Sequence, residues 1–233
     1  MNIALLGFGR MGKAIEQLAL KRGHTIGYVR DKDRAEGTLE AIDVAINFSV
    51  PSAAAENILE AFDHGIPVVC GTTGWLDKQE SINTACLAKN TAFLYASNFS
   101  IGVNLFFKLN QQLAALMNSQ NDHYSAQIEE THHIHKLDAP SGTAITLAEG
   151  IIDQNEAYKS WAMEKKENAI NIQSYREGEV PGNHRIIYTS SVDEIHIEHK
   201  ADSRDGFALG AVIAAEWLKG KKGIYSMQDV LNL

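Results

Sequence analysis

The chain has 233 residues, 45% of them hydrophobic and 21% charged, with a formal net charge of −8 at pH 7. That length suffices for one large domain or two small ones, and the acidic balance argues against broad binding to nucleic acid or anionic membranes. Cys70 and Cys86 are too few for a disulfide framework and fit a reducing compartment. Met1 runs straight into an apolar strand rather than a signal peptide, and no apolar run nears the roughly 18 residues of a membrane span, so a soluble cytoplasmic protein is expected.

Residues 2–6 are a short apolar run suited to a strand covered on both faces. Gly7-Phe8-Gly9-Arg10-Met11-Gly12 follows at once, and Met11, Ile15, Leu18 and Ala19 then mark one face of a helix that stops at Gly23. A second strand over residues 25–29 leads to Asp31, about 20 residues past the last glycine. A glycine run of this kind is a weak signal alone, because glycines also serve plain tight turns. Set between strand and helix, it predicts a dinucleotide loop. Gly7 permits the turn, Gly9 lets a pyrophosphate approach and Gly12 allows close helix packing, while the helix start offers N–H groups to phosphates. Asp31 is positioned to accept hydrogen bonds from ribose hydroxyls. Arg30, Lys32 and Arg34 beside it leave NADH against NADPH open, since a cation there can hold a 2′-phosphate or simply be a solvated charge.

The alternation continues with a strand over 43–48 and a helix starting at Pro51, with Ala54, Ile58, Leu59 and Phe62 inward. A strand over 66–70 ends in Gly71-Thr72-Thr73-Gly74, and Asp77 with Glu80 has the spacing of a capping box for the next helix. A strand over 92–96 runs into Ser97-Asn98-Phe99-Ser100. Strands alternating with helices predict a parallel sheet with right-handed crossovers, and ligands of such sheets bind beyond the carboxyl ends of the strands. Phe48, Ser49, Gly71, Thr72, Thr73, Ser97, Asn98 and Phe99 therefore join the glycine loop as expected cofactor-binding residues.

Past residue 100 the pattern changes. An amphipathic helix spans 103–117, with Phe106, Leu109, Leu113 and Leu116 as its apolar face, and an alternating strand spans 124–130. A helix over 141–152, a polar exposed stretch to 168, and strands over 169–175, 185–190 and 194–200 follow. Strands without intervening helices predict an antiparallel or mixed sheet, covered by helices on one face and open for subunit pairing on the other. Helices over 206–219 and 226–231 return the chain to the first domain. The predicted fold is α/β: a Rossmann-like parallel-sheet dinucleotide-binding domain over residues 1–101 and 205–233, plus an α+β mixed-sheet domain over 102–204 for substrate binding and oligomerisation.

Between these halves lies Glu129-Glu130-Thr131-His132-His133-Ile134-His135-Lys136-Leu137-Asp138-Ala139-Pro140-Ser141-Gly142-Thr143-Ala144. Three readings compete for it. In an extended chain His132 and His133 point to opposite faces, which disfavours joint metal coordination, although His135 and Asp138 stay open on spacing. Exposed loop histidines are the bland reading, weakened by the company of Lys136 and Ser-Gly-Thr. The favoured reading is an anion cradle, in which Ser141, Gly142 and Thr143 at a helix start and the Lys136 charge hold a carboxylate. A histidine titrating near neutral pH then supplies the proton that complements a hydride. No metal is expected.

The run from Glu130 to Ala144 resembles the signature of the 4-hydroxy-tetrahydrodipicolinate (dihydrodipicolinate) reductase family. Gly7–Gly12, Asn47-Phe48-Ser49-Val50-Pro51, Gly71–Gly74, Asn98–Asn104, Arg176-Glu177-Gly178 with Gly182-Asn183-His184, and Ser203–Ala208 resemble family segments in the same order, so the likeness spans almost the whole chain. The resemblance implies NADPH- or NADH-dependent reduction in diaminopimelate–lysine biosynthesis, a homotetramer, and a hinge that closes the domains over a dicarboxylate and brings His132 against the nicotinamide. It further implies that His132 is the general acid/base, that Lys136 donates a proton and binds a substrate carboxylate, and that His133, Ser141, Gly142 and Thr143 bind substrate. Two other classes stay in play: a two-domain aspartate- or homoserine-type dehydrogenase, which shares the first domain but lacks the His-His-x-x-Lys run, and a non-catalytic dinucleotide sensor. His135 and Asp138 have no assigned role.

Overall fold

The apolar run after Met1 forms β1 (Asn2–Leu6), which leads through the glycine turn into α1 (Arg10–Lys21), β2 (Thr25–Asp31) and β3 (Arg34–Gly37). Then come β4 (Val44–Asn47), α2 (Pro51–Asp63), β5 (Val68–Cys70), α3 (Gln79–Ala88), β6 (Ala92–Tyr95) and α4 (Ile101–Met117). Next are β7 (Ser125–His132), α5 (Gly142–Gln154), β8 (Ser160–Ala162), β9 (Ala169–Arg176), β10 (Asn183–Thr189) and β11 (Glu194–Lys200). The chain closes with α6 (Asp205–Leu218), β12 (Gly223–Tyr225) and α7 (Met227–Leu231). This computed structural model describes every residue except Asp33 and Arg204. The described residues form two units, Met1–Ile101 with Asp205–Leu233, and Gly102–Arg204.

In the first unit seven strands lie in the order β12-β6-β5-β4-β1-β2-β3, parallel throughout except for the antiparallel β2–β3 hairpin. The period of two along β1 divides its side chains between two cores. Ile3 and Leu5 pack with Ile15 and Ala19 of α1 and with Ala211 and Leu218 of α6, while Ala4 and Leu6 pack with Ile58 and Phe62 of α2 and Ile82 of α3. Helix α6 approaches the loop after β6 so closely that a Cβ on Gly210 would stand 1.7 Å from the Phe99 carbonyl oxygen. Cys70 and Cys86 are free thiols buried in this unit, and burial pushes both up to about 11.

The second unit holds a five-stranded sheet in the order β11-β10-β7-β9-β8. β7, β9 and β8 run parallel, whereas β10 is antiparallel to both β7 and β11, so the sheet is mixed. One face carries Ala126, Ile128, Ile170, Ile172, Ile186 and Tyr188 against Phe106 and Ala114 of α4 and Leu147 and Ile151 of α5.

Several elements differ from expectation, each for a local reason. Asp77 does not cap α3: a 3-10 turn, Leu76–Lys78, precedes the helix and Lys78 is its N-cap residue. Trp75 buries itself there, its indole N–H donating to the Thr72 carbonyl at 2.7 Å, which delays the helix start. Leu59 of α2 is exposed rather than inward. The buried face of α4 is Val103, Phe106, Asn110, Ala114 and Met117, with Leu109 and Leu116 exposed. Asn110 takes an inward seat because its amide donates to the Leu147 carbonyl at 2.8 Å, beside the space that Gly150 leaves. The unpredicted strands β3, β8 and β12 are three or four residues long, and β3 is wholly exposed, so none carries an apolar alternation.

Candidate functional site: a buried carboxylate–histidine cluster and a glycine loop

The inward register of β7 reads Ala126, Ile128, Glu130, His132, so the alternation that fills the core ends in a carboxylate and an imidazole. Glu130 is 1% exposed, and a lone carboxylate at that depth would be prohibitively costly. It is not alone. Its Oε1 accepts from the Ser141 backbone N–H at 3.1 Å and from the Arg176 guanidinium at 3.4 Å. Its Oε2 faces His132 Nδ1 at 3.2 Å, too poorly aligned for a full hydrogen bond, and His184 Nε2 at 3.8 Å. Burial alone would raise the Glu130 pKa, but the polar groups of His132, Ser141 and Ser174 turned toward it outweigh burial and hold the carboxyl well below the usual range.

Ser141 is the N-cap of α5, with its hydroxyl accepting from the Ala144 N–H at 3.2 Å. His184 Nε2 lies 3.2 Å from the same hydroxyl. At the helix start the Gly142 and Thr143 N–H groups have no intrahelical acceptor and carry the positive end of the dipole. Lys136 pairs with both oxygens of Asp138 at 2.8 Å, and Arg176 donates to the backbone carbonyls of Lys136 and Asp138, tying this loop to the end of β9. A Cβ on Gly182 would stand 2.9 Å from His132 Nε2, so glycine there leaves that edge of the ring uncrowded.

His132, Lys136, Ser141, Gly142 and Thr143 are thus gathered in one unit around the start of α5. His133 follows the end of β7 half-buried, its ring 6.1 Å from that of His135. His135 turns outward to an exposed ion pair with Glu179 at 3.3 Å, while Asp138 steadies Lys136, so the two residues left without a role hold the loop. Glu130, Arg176 and His184 were missed as site residues. The legible signal was Glu130 itself, a carboxylate in the inward register of an otherwise apolar strand. A metal reading meets a different donor set from the one the spacing suggested, because Glu130, His132 and His184 offer ligand atoms within 4.8 Å of one another. Arg176 already places a fixed cation against that carboxylate, which opposes a second one.

Burial pushes His184 down to about 3, with His132 adding to the effect. An unfolded imidazole takes up a proton near pH 6.5, which folded His184 refuses, so acid favours the unfolded state. Stability from this group is complete above about pH 6.5 and falls by ~1.4 kcal/mol per pH unit as pH drops toward the folded value. Glu130, depressed in the fold, adds a further loss below about pH 4.3. Between about pH 6.5 and 4.5, denaturant unfolding should therefore show His184→Asn losing ~2 kcal/mol less than the wild type. Equal losses would mean that His184 titrates as an exposed group.

In the first unit the glycine loop has the geometry its spacing predicted. Gly7 has φ +105°, donates its N–H to the Arg30 carbonyl at 2.7 Å, and leaves no room for a Cβ, which would meet the Phe48 carbonyl oxygen at 2.2 Å. A Cβ on Gly12 would meet the Gly7 oxygen at 2.3 Å, whereas Gly9, the N-cap residue of α1, faces open space. Tight turn, open approach and close packing fall on the three glycines in that order. Phe8, Arg10 and Met11 sit on the same turn and first helical residues.

The neighbouring strand ends are knitted to one another. The Ser49 N–H donates to the Thr72 hydroxyl at 2.9 Å, the Gly71 N–H donates to the Asn47 carbonyl, and the Phe48 and Phe99 rings lie 5.6 Å apart. Thr73 and Ser97 are exposed, Asn98 accepts from the Ser100 N–H, and Phe99 is a core residue. Asp31 ends β2 in an exposed position.

Comparison with known proteins decides among the remaining classes. The model of the dihydrodipicolinate reductase N-terminus matches residues 1–99, and that of the C-terminus matches residues 102–231. The chain belongs to the dihydrodipicolinate reductase family. A 4-hydroxy-tetrahydrodipicolinate reductase of Christiangramia forsetii is 55% identical over 235 residues, covering 100% of this chain and 98% of the relative. One from Neisseria meningitidis serogroup B is 35% identical, covering 94% and 84%. A dipicolinate-bound dihydrodipicolinate reductase from Paenisporosarcina sp. TG-14 shares the fold with a TM-score of 0.81 at 22% identity over 97% of both chains. An aspartate dehydrogenase from Thermotoga maritima, of the competing class, reaches a TM-score of 0.52 at 12% identity, covering 95% of this chain and 97% of its own. The chain is an NAD(P)H-dependent oxidoreductase of the diaminopimelate–lysine route, as its place among the dihydrodipicolinate reductases makes it.

Proposed function

We propose that this reductase converts 4-hydroxy-tetrahydrodipicolinate, through dihydrodipicolinate, to tetrahydrodipicolinate, with its two site regions dividing the work. The glycine loop holds the dinucleotide, whose reduced nicotinamide supplies the hydride. One carboxylate of the substrate ring takes the Gly142 and Thr143 N–H groups with the Ser141 cap, and Lys136 and His133 take the other polar groups. Hydride arrival leaves negative charge on the conjugated ring. His132 relieves that charge with the proton on Nε2, because Nδ1 is turned toward Glu130. The observation that carries this reading is the placement of His132, buried on a carboxylate in the same cluster as the start of α5.

The test is oxidation of reduced nucleotide with freshly prepared substrate, run with NADH and with NADPH. No turnover with either would end the reading. Within that assay Lys136→Ala should raise KM about tenfold or more with a smaller change in kcat, since it removes charge that holds the substrate before and during reaction. Unchanged kinetics would remove Lys136 from the site.

A homotetramer is proposed as well. The sheet face turned away from α4 and α5 carries half-buried Gln127, Glu129, Thr131, Gln173 and Arg185 and offers the pairing surface, which sedimentation velocity tests. A cytoplasmic location is proposed on the strength of two free, buried thiols. No helix among the described residues is long and apolar enough to cross a membrane.

A further inference from the structure

We infer that this chain favours NADH over NADPH, because the two arginines flanking Asp31 are already engaged by glutamates. The inference rests on the glycine loop as the cofactor site. A dinucleotide bound at such a loop sends its adenosine ribose to the end of the second strand, where a carboxylate accepts from the 2′-hydroxyl or an arginine accommodates a 2′-phosphate. Asp31 occupies that strand end.

The two arginines beside it are already held in ion pairs. Arg30 turns to α2, where its guanidinium binds Glu60 and lies 3.4 Å from Glu56. Arg34 stands opposite Asp31 in the β2–β3 hairpin and donates to Glu36 at 2.6 Å. Its guanidinium also lies 4.8 Å over the Phe8 ring, against the glycine loop. Glu36, Glu16 and Asp31 all act on Arg34, so acidic groups surround this arginine at the hairpin end. Lys32 is exposed at the hairpin turn.

A 2′-phosphate brings roughly −1.5 to −2 charges at neutral pH. It would meet the Asp31 carboxylate and have to compete with Glu36 for Arg34. The 2′-hydroxyl of NADH instead donates to Asp31 and disturbs no ion pair. The specificity is thus set by two glutamate–arginine pairs as much as by the aspartate.

The test is equilibrium binding of each reduced nucleotide to the purified protein without substrate, followed by calorimetry or nucleotide fluorescence. NADH should bind about tenfold tighter than NADPH or better, a difference near 1.4 kcal/mol. The gap should narrow in ~1 M salt, where exposed like-charge repulsion is screened within about 3 Å. Glu36→Gln, which releases Arg34, should tighten NADPH several-fold and leave NADH unchanged, and Asp31→Ser should weaken NADH while sparing NADPH. Equal or tighter NADPH binding by the wild type overturns the inference while leaving the reductase reading intact. Binding of neither nucleotide removes the glycine-loop reading and the inference together.

Discussion

His132→Ala should lower kcat by roughly 100- to 10,000-fold, the range for loss of a positioned proton donor. Its affinity for reduced nucleotide should stay at the wild-type value. The two effects separate because the imidazole and the glycine loop belong to different units of the chain. The fold should survive as well. Removing the ring leaves Glu130 with the Ser141 N–H and Arg176, so no buried charge is orphaned. The pH dependence of kcat gives a second readout, since the limb that reports the acid should disappear from the variant. Turnover within tenfold of wild type, with a normal pH profile, would falsify the assignment of the proton to His132.

Glu130→Ala should be the more damaging change to the fold, at about 3–5 kcal/mol, the usual cost of removing one partner from a buried ion pair. Arg176 would lose its carboxylate and the Ser141 N–H its acceptor, at the point where β7, β9 and α5 are joined. For a protein of this size the loss corresponds to roughly 10 °C in Tm, measurable by circular dichroism. Glu130→Gln restores an acceptor for Ser141 but no charge for Arg176 or His132. It should recover part of the stability and little of kcat, because the carboxylate that faces the imidazole Nδ1 and orients the ring is still missing. A glutamine variant with full activity would reduce Glu130 to a structural residue. An alanine variant within about 1 kcal/mol of wild type would mean that the carboxylate is solvated rather than buried.

Much of this was legible in the sequence wherever the period of the apolar residues had one cause. The mostly apolar strands 2–6 and 92–96, and the glycine turn between β1 and α1, read correctly because burial on both faces and a tight turn each narrow the composition sharply. The reading failed where polar groups won buried seats. Asn110 displaced leucines from the inner face of α4 through a bond to Leu147, which no hydropathy pattern anticipates. Trp75 likewise moved the start of α3 past an apparently adequate cap.

At the site, the run from His132 to Thr143 announced the chemistry, but the partners that position it are distant in sequence. Arg176 lies 46 residues from Glu130 and His184 lies 43 from Ser141. Pairing of β7 with β9 and β10 creates those neighbours, and spacing in the sequence carries no trace of that register.

The two thiols share one unit, and Gly102–Arg204 contains none. Both are buried and their deprotonation is suppressed, so an alkylating reagent waits for the surrounding strands to open. Each label that attaches under native conditions therefore records one opening of the nucleotide-side unit alone. Hydrogen exchange across β7, β9 and β10 records the other. The chain thus carries an internal chronometer for one half of itself, and comparing the two records tells whether the halves unfold together or in turn.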